Sequence, residues 1–496
     1  MTWAGALPEL LLGIVILGAA GIIGLGFGLC RAGATWRRWG PGCALLVASA
    51  LALLPSLPIG LRVGGLAVAS GALLVEICSS KSEKQGCEPV KGFSWAAPVA
   101  AAAGAAALLL PKLGSFSGSL LVWEWGTVLG YERAAQAGQS AFGLLPTALL
   151  WQDGLVSTGH DSLLYGVPTY ALLLTGFNPL NLRLVAAIFA ILIPFLGWWV
   201  GRRFLGEATG AVLAVLLAFN PCLVFYGHYG TSLTATVFCS LAAMGSIWAL
   251  LLWDGPALLR LLLAAAVLFV TTLHYSPARV LVAFLVAFAP VAALLAVRRR
   301  GIRNAAAAGG LLALAAFVWH IEGRFGHNEA FFRASGEQIL HFVKNPDYVK
   351  RYLSRAVPPE TLTFAEKAEF ALNLGRDTYP QMLEVIAPRL VPETHGLLFD
   401  ADPPPVPLYL ASLAPFIAWG LALSFRRLPS PVSASLAFGF LTLFGALLMT
   451  TRVDSPRTSL FTLFFSIWSA LGLVEAWRTL RTAGVPRRLA YGLGAL

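Results

Sequence analysis

Long apolar runs separated by charged breaks dominate this chain. They fall at residues 8–29, 41–60, 63–78 and 96–110, then resume at 181–200, 208–226, 232–253, 257–274, 280–297 and 305–321, and again at 406–425, 431–450 and 459–477. A helix needs about 20 mostly apolar residues to cross a bilayer. The pattern therefore predicts thirteen transmembrane helices. Two long polar stretches interrupt it, 111–180 and 322–405. Inside the first, residues 162–177 form a shorter apolar run. It is too short to span and is predicted to lie along the membrane surface, as an interfacial or re-entrant helix.

Basic residues set the orientation, because cytoplasmic loops collect Lys and Arg. Arg31, Arg37 and Arg38, then Lys81, Lys84 and Lys91, then Arg202 and Arg203, Arg298 to Arg300, Arg426 and Arg427, and finally Arg478, Arg481, Arg487 and Arg488 follow alternate spans. These ends are predicted inside and the N-terminus outside. The first run is too long, and lacks the basic leader, for a cleavable signal peptide. Counting 162–177 as a span would put the arginines at 298–300 on the wrong side.

Composition agrees with this reading. The chain of 496 residues is 57% hydrophobic and 12% charged, which excludes an ordinary soluble domain. The fold class expected is an all-α polytopic membrane protein. Its parts are three N-terminal spans and an inside loop (1–92), a transmembrane core (93–321) carrying the outer loop 111–180, a small helical outer cap (322–405) and C-terminal spans (406–496). The net charge of +11 accumulates in the inside loops, so it reports topology and not nucleic-acid binding. The six cysteines form no CxxC pair and are read as packing residues. No inverted repeat of the transporter kind is found.

Folding the chain this way puts all seven histidines and eighteen of the twenty-four carboxylates outside. The loop 111–180 holds Glu124, Glu132, Asp153, His160 and Asp161 among Trp123, Trp125, Tyr131 and Trp151. The aromatics alone mark a membrane–water boundary; the carboxylates supply candidate acid–base groups. In the cap, helices are expected over 333–353 and 363–374, with His327, His341 and His395 in no metal-binding spacing. Shorter outer turns carry His228 with Tyr229, His274 with Arg279, and Arg452 with Arg457. Outer arginines at span ends break the charge rule. A phosphate group is one natural partner for them, an ordinary lipid phosphate or Asp454 another.

From about 121 to 253 the chain resembles the multi-spanning GT-C glycosyltransferases of the dolichol-phosphate-mannose mannosyltransferase and aminoarabinose-transferase type. The likeness is carried by Trp123-Glu124-Trp125-Gly126, Gly159-His160-Asp161-Ser162, Leu174-Thr175-Gly176-Phe177-Asn178, Leu182-Arg183-Leu184 and Asn220-Pro221 through Tyr226-Gly227-His228. Family members open the loop with adjacent Asp-Glu, whereas this chain has one carboxylate there. They also have His or Lys followed by Pro where this chain has His160-Asp161-Ser162.

The resemblance implies inverting transfer of a sugar from a polyprenyl-phosphate donor to a lipid, glycan or protein acceptor at the outer face. The setting it implies is a bacterial inner membrane with the site facing the periplasm or exterior. Glu124 becomes the expected general base and Glu132 its substitute. Asp153, His160, Asp161, His228, Tyr229 and His274 become substrate-binding candidates, and Arg279, Arg452 and Arg457 the donor-phosphate candidates. Glu124, His160 and Asp161 become candidate ligands for a divalent cation, Mg or Mn. Three other readings stay open on sequence alone: a lipid-linked-substrate flippase or transporter, a non-catalytic scaffold whose cap binds partners, and another membrane transferase of the O-antigen ligase type.

Overall fold

The computed structural model describes residues 96–114, 122–138, 163–253, 256–274, 276–295, 346–354, 357–358, 361–386, 409, 413–448 and 458–482. Among them every regular element is helical. In chain order the helices are α1 (Ala96–Leu109), α2 (Val122–Gln136), α3 (Leu163–Leu173), α4 (Pro179–Phe204), α5 (Glu207–Ala218), α6 (Pro221–Gly227), α7 (Leu233–Leu252), α8 (Ala257–Thr272), α9 (Ser276–Leu295), α10 (Pro346–Leu353), α11 (Phe364–Ile386), α12 (Ala414–Arg427), α13 (Ser430–Leu448) and α14 (Phe461–Thr482).

The chain is a helical membrane protein. By length and composition, α4, α7 and α13 can each cross a membrane, and α5 with α6 makes a fourth if the bent pair is one span. Helix α1 and the apolar stretches Leu164–Leu173, Leu258–Thr272 and Pro277–Pro290 of α3, α8 and α9 are shorter. The expected spans at 8–29, 41–60, 63–78 and 305–321 lie outside the described residues, so the count of thirteen is not tested.

One expected span is broken. Residues 208–226 form not one rod but α5 and α6, bent by 51°. The cause is local: Pro221 has no N–H to continue the ladder, and the Asn220 side chain accepts from Leu223 N at 3.1 Å, starting a new helix.

Helix α7 is the hub, with most of its side chains buried. Hydrogen bonds tie it to its neighbours: Thr234 Oγ1 donates to Ala186 O on α4 at 2.9 Å, Trp248 Nε1 to Ser435 Oγ on α13 at 2.7 Å, and Thr271 Oγ1 of α8 to Cys239 O at 3.2 Å. Such bonds join helices in a solvent where apolar burial cannot. Close backbone approach does the same for α12 and α14. A Cβ at Gly420 would lie 1.6 Å from Trp468 O, and one at Gly472 would lie 2.2 Å from Phe416 O.

Within the stretch 322–405, the described residues form two helices, α10 and α11. A capping box starts α11, with Thr363 N donating to Glu366 Oε2 at 2.8 Å and Glu366 N to Thr363 Oγ1 at 3.3 Å. Phe370 packs against Tyr352 of α10, ring centroids 5.3 Å apart. Thr378 Oγ1 donates to Leu448 O, fastening α11 to the end of α13. The helix runs past Gly375 and Pro380 to Ile386, well beyond the expected 363–374.

Candidate functional site

The site is built around one carboxylate. Glu124 sits in the first turn of α2 and is 0% exposed. Arg183, in the first turns of α4, is 1% exposed. The guanidinium grips the carboxylate with two bonds, Nε to Oε1 at 2.6 Å and Nη2 to Oε2 at 2.8 Å. This fork-on-fork geometry is the strongest form of the pair. Arg183 Nη1 also donates to Leu113 O at 3.2 Å. Gly230 N donates to Glu124 Oε1 at 2.8 Å from the turn after α6. Gly230 has to lack a side chain, because a Cβ there would lie 2.5 Å from Leu182 Cγ and 3.2 Å from Glu124 Oε1.

Around this contact the turns are locally fixed. Asn178 Oδ1 accepts from Asn181 N at 2.9 Å and caps α4. Asn181 Nδ2 returns to Leu172 O at 3.0 Å and Gly176 O at 2.8 Å, closing the α3–α4 turn. Tyr165 Oη donates to Leu182 O at 3.3 Å. Tyr131 of α2 meets Tyr170 of α3 at 5.2 Å between ring centroids. Helix α3 therefore packs against α2 and α4 through buried Tyr165, Tyr170 and Leu173, while Leu174 and Phe177 beyond it are exposed.

The other candidates fall into place as follows. Glu132 is exposed on α2, beside the buried Tyr131. His228 is buried after α6, with Nδ1 2.9 Å from Val224 O. Tyr229 is buried, its ring 5.2 Å from Phe225 and 6.3 Å from Tyr226. His274 and Arg279 flank the turn between α8 and α9. His274 Nε2 lies 3.3 Å from Cys239 Sγ, and Arg279 Nε donates to Thr272 O at 3.0 Å. Asp153, His160, Asp161, Arg452 and Arg457 lie outside the described residues. No group of three or more His, Cys, Asp or Glu gathers as a metal site among the described residues.

Arg183 is the residue that the candidate list left out. The charge pattern carried a signal for it: by the expected topology it is an arginine at the outer end of a span, the same exception to the charge rule that singled out Arg279. Gly230 carried no comparable signal, since its role depends on the approach of Glu124 from 106 positions away.

No family model matches the chain, and no curated protein matches it in sequence. Solved structures do resemble it. The archaeal oligosaccharyltransferase AglB from Archaeoglobus fulgidus, in complex with an inhibitory peptide and a dolichol-phosphate, shares 15% identity at a TM-score of 0.48, covering 81% of this chain and 52% of that one. The oligosaccharyltransferase of Archaeoglobus fulgidus in the apo form shares 15% at 0.47, covering 82% and 53%, and its complex with Zn and sulfate shares 14% at 0.48, covering 81% and 51%. This chain spans about half the length of the structures it matches. A likeness of this degree assigns neither family nor activity.

Proposed function

We propose that the chain is a membrane glycosyltransferase that moves a sugar from a polyprenyl-phosphate donor to an acceptor hydroxyl at the outer face, with inversion. One observation carries the reading. Two stretches singled out by the GT-C resemblance, at Glu124 and Arg183, and the turn at Gly230 just beyond a third are scattered along the chain yet meet in a single buried contact. A constellation spread over 106 positions that closes on one carboxylate is what a positioned catalytic loop requires.

Within this reading Glu124 changes role. A general base must reach the proton that it removes, and both oxygens of Glu124 are held by donors in a fully buried place. Nor does Glu124 fit a divalent cation, which would have to share the carboxylate with a guanidinium. Glu124 is assigned to positioning: with Arg183 it fixes the start of the outer loop against α4. The base falls to Glu132, the exposed carboxylate on the same helix, with Asp153, His160 and Asp161 in the following loop available to bind substrate. As the acceptor oxygen bonds to the anomeric carbon, its proton passes to Glu132. The anomeric carbon–oxygen bond breaks, and polyprenyl phosphate leaves. Arg279, Arg452 and Arg457 are assigned to the leaving phosphate, and His228, Tyr229 and His274 to the surrounding wall.

The test uses purified full-length protein with a radiolabelled polyprenyl-phosphate sugar and a mixture of hydroxyl acceptors. Release of polyprenyl phosphate with transfer of label is expected. Among the described residues, the bend between α5 and α6 is the feature that favours the flippase reading, since broken helices serve transporters. Movement of intact labelled lipid across vesicles, with no bond cleaved, would establish that reading instead.

A further inference from the structure

A second site lies at the opposite end of α4. Arg202 follows Arg183 by nineteen residues, roughly 28 Å along a helix rising 1.5 Å per residue. Here a cavity of about 280 Å³ opens between the α4–α5 turn, the α12–α13 turn and α14. Four arginines line it, Arg202, Arg203, Arg427 and Arg478, and among the described residues no carboxylate does. A basic helix end alone would follow from topology. This one is also shaped, and its cations are placed. Arg202 stacks over Trp198 at 5.3 Å from the ring centroid, and Arg203 over Trp253 at 5.5 Å. Glu475 holds Arg427 through both carboxylate oxygens and stands 3.9 Å from Arg478.

Two further features bear on what would fit. Helix α5 begins at the cavity with Gly206 as its cap residue, which supplies no side-chain acceptor to the first-turn N–H groups. Unsatisfied N–H groups at a helix start favour an anion, although Glu207 in that turn already answers part of the dipole. Apart from Thr209, the side chains of the rest of the wall are apolar, among them Leu423, Leu471 and Val474 on α12 and α14. A bare anion has no use for such a wall, whereas the glycerol and upper acyl carbons of a lipid do. Basic pockets between membrane helices on the cytoplasmic side bind anionic headgroups by this combination.

We infer that this cavity binds a phosphate group, presented by an anionic membrane lipid. The inference is independent of the transferase reading. It is tested on the full chain in neutral detergent by thermal unfolding, titrating phosphatidylglycerol, phosphatidylcholine and inorganic phosphate in separate arms. Phosphatidylglycerol should raise the Tm and phosphatidylcholine should not. A response to inorganic phosphate as well would keep the phosphate site and assign it to any source of that group. The double variant Arg202→Gln with Arg478→Gln should weaken the apparent affinity roughly tenfold or more. Arg426→Gln removes one positive charge next to Arg427 without lining the cavity, and should leave the affinity unchanged. Wild-type binding should also weaken as salt is raised, a readout that needs no variant. No response to either anion, equal affinity in the double variant and Arg426→Gln, or salt-independent binding would overturn the inference.

Discussion

Among the described residues, two bidentate arginine–carboxylate pairs join distant parts of the chain, and they differ chiefly in their exposure to water. Arg183 and Glu124 are 59 positions apart and are 1% and 0% exposed; Arg427 and Glu475 are 48 apart and are 39% and 15% exposed. The exposed pair keeps part of its hydration and is screened, so it contributes little. The buried pair has surrendered its hydration entirely and depends on each partner for the other's solvation. The first can be lost without consequence to the fold. The second makes the seating of α2 against α4 conditional on both residues.

The largest effect should follow from removing one partner of the buried pair. Arg183→Ala or Glu124→Ala strands a charge and should lower stability by about 3–5 kcal/mol, read by thermal unfolding in detergent. Replacing both, Glu124→Gln with Arg183→Met, should recover much of that loss, because no charge is then left behind. Gly230→Ala comes next. The new methyl meets Leu182 at 2.5 Å and crowds Glu124, and overpacking of this kind costs about 1–3 kcal/mol. Glu475→Gln is the smallest, at about 0–1 kcal/mol, and that loss should shrink further in high salt. A larger loss at Glu475 than at Glu124 would invert the comparison.

Much of the fold was legible because hydropathy is a local property. The runs at 181–200, 232–253 and 431–450 reappear as α4, α7 and α13, and the short run at 162–177 as the short helix α3. The break between α5 and α6 was hidden inside the run 208–226, since the residues on both sides are apolar and only Asn220-Pro221 marks the bend. Helix α11 runs past its expected end at 374 through Gly375 and Pro380, in a stretch that Thr378 fastens to α13, a tertiary contact that no local pattern announces. For the candidate site, sequence could say that Glu124 is an outer carboxylate in an apolar setting. It could not say that Arg183 reaches it, because that pairing is decided by how α2 and α4 meet, which no local pattern encodes. A buried ion pair and a catalytic base therefore look alike in sequence.

They separate when stability and turnover are measured on the same samples. Purified Glu124→Gln and Glu132→Gln should be compared with wild type by detergent thermal unfolding and by release of polyprenyl phosphate per folded molecule. Glu132→Gln should keep its Tm and lose about 10²–10⁴-fold in rate. Glu124→Gln should lose Tm, and whatever fraction remains folded should turn over far faster than Glu132→Gln. An unchanged Tm in Glu124→Gln together with abolished turnover would contradict the account and return the role of base to Glu124.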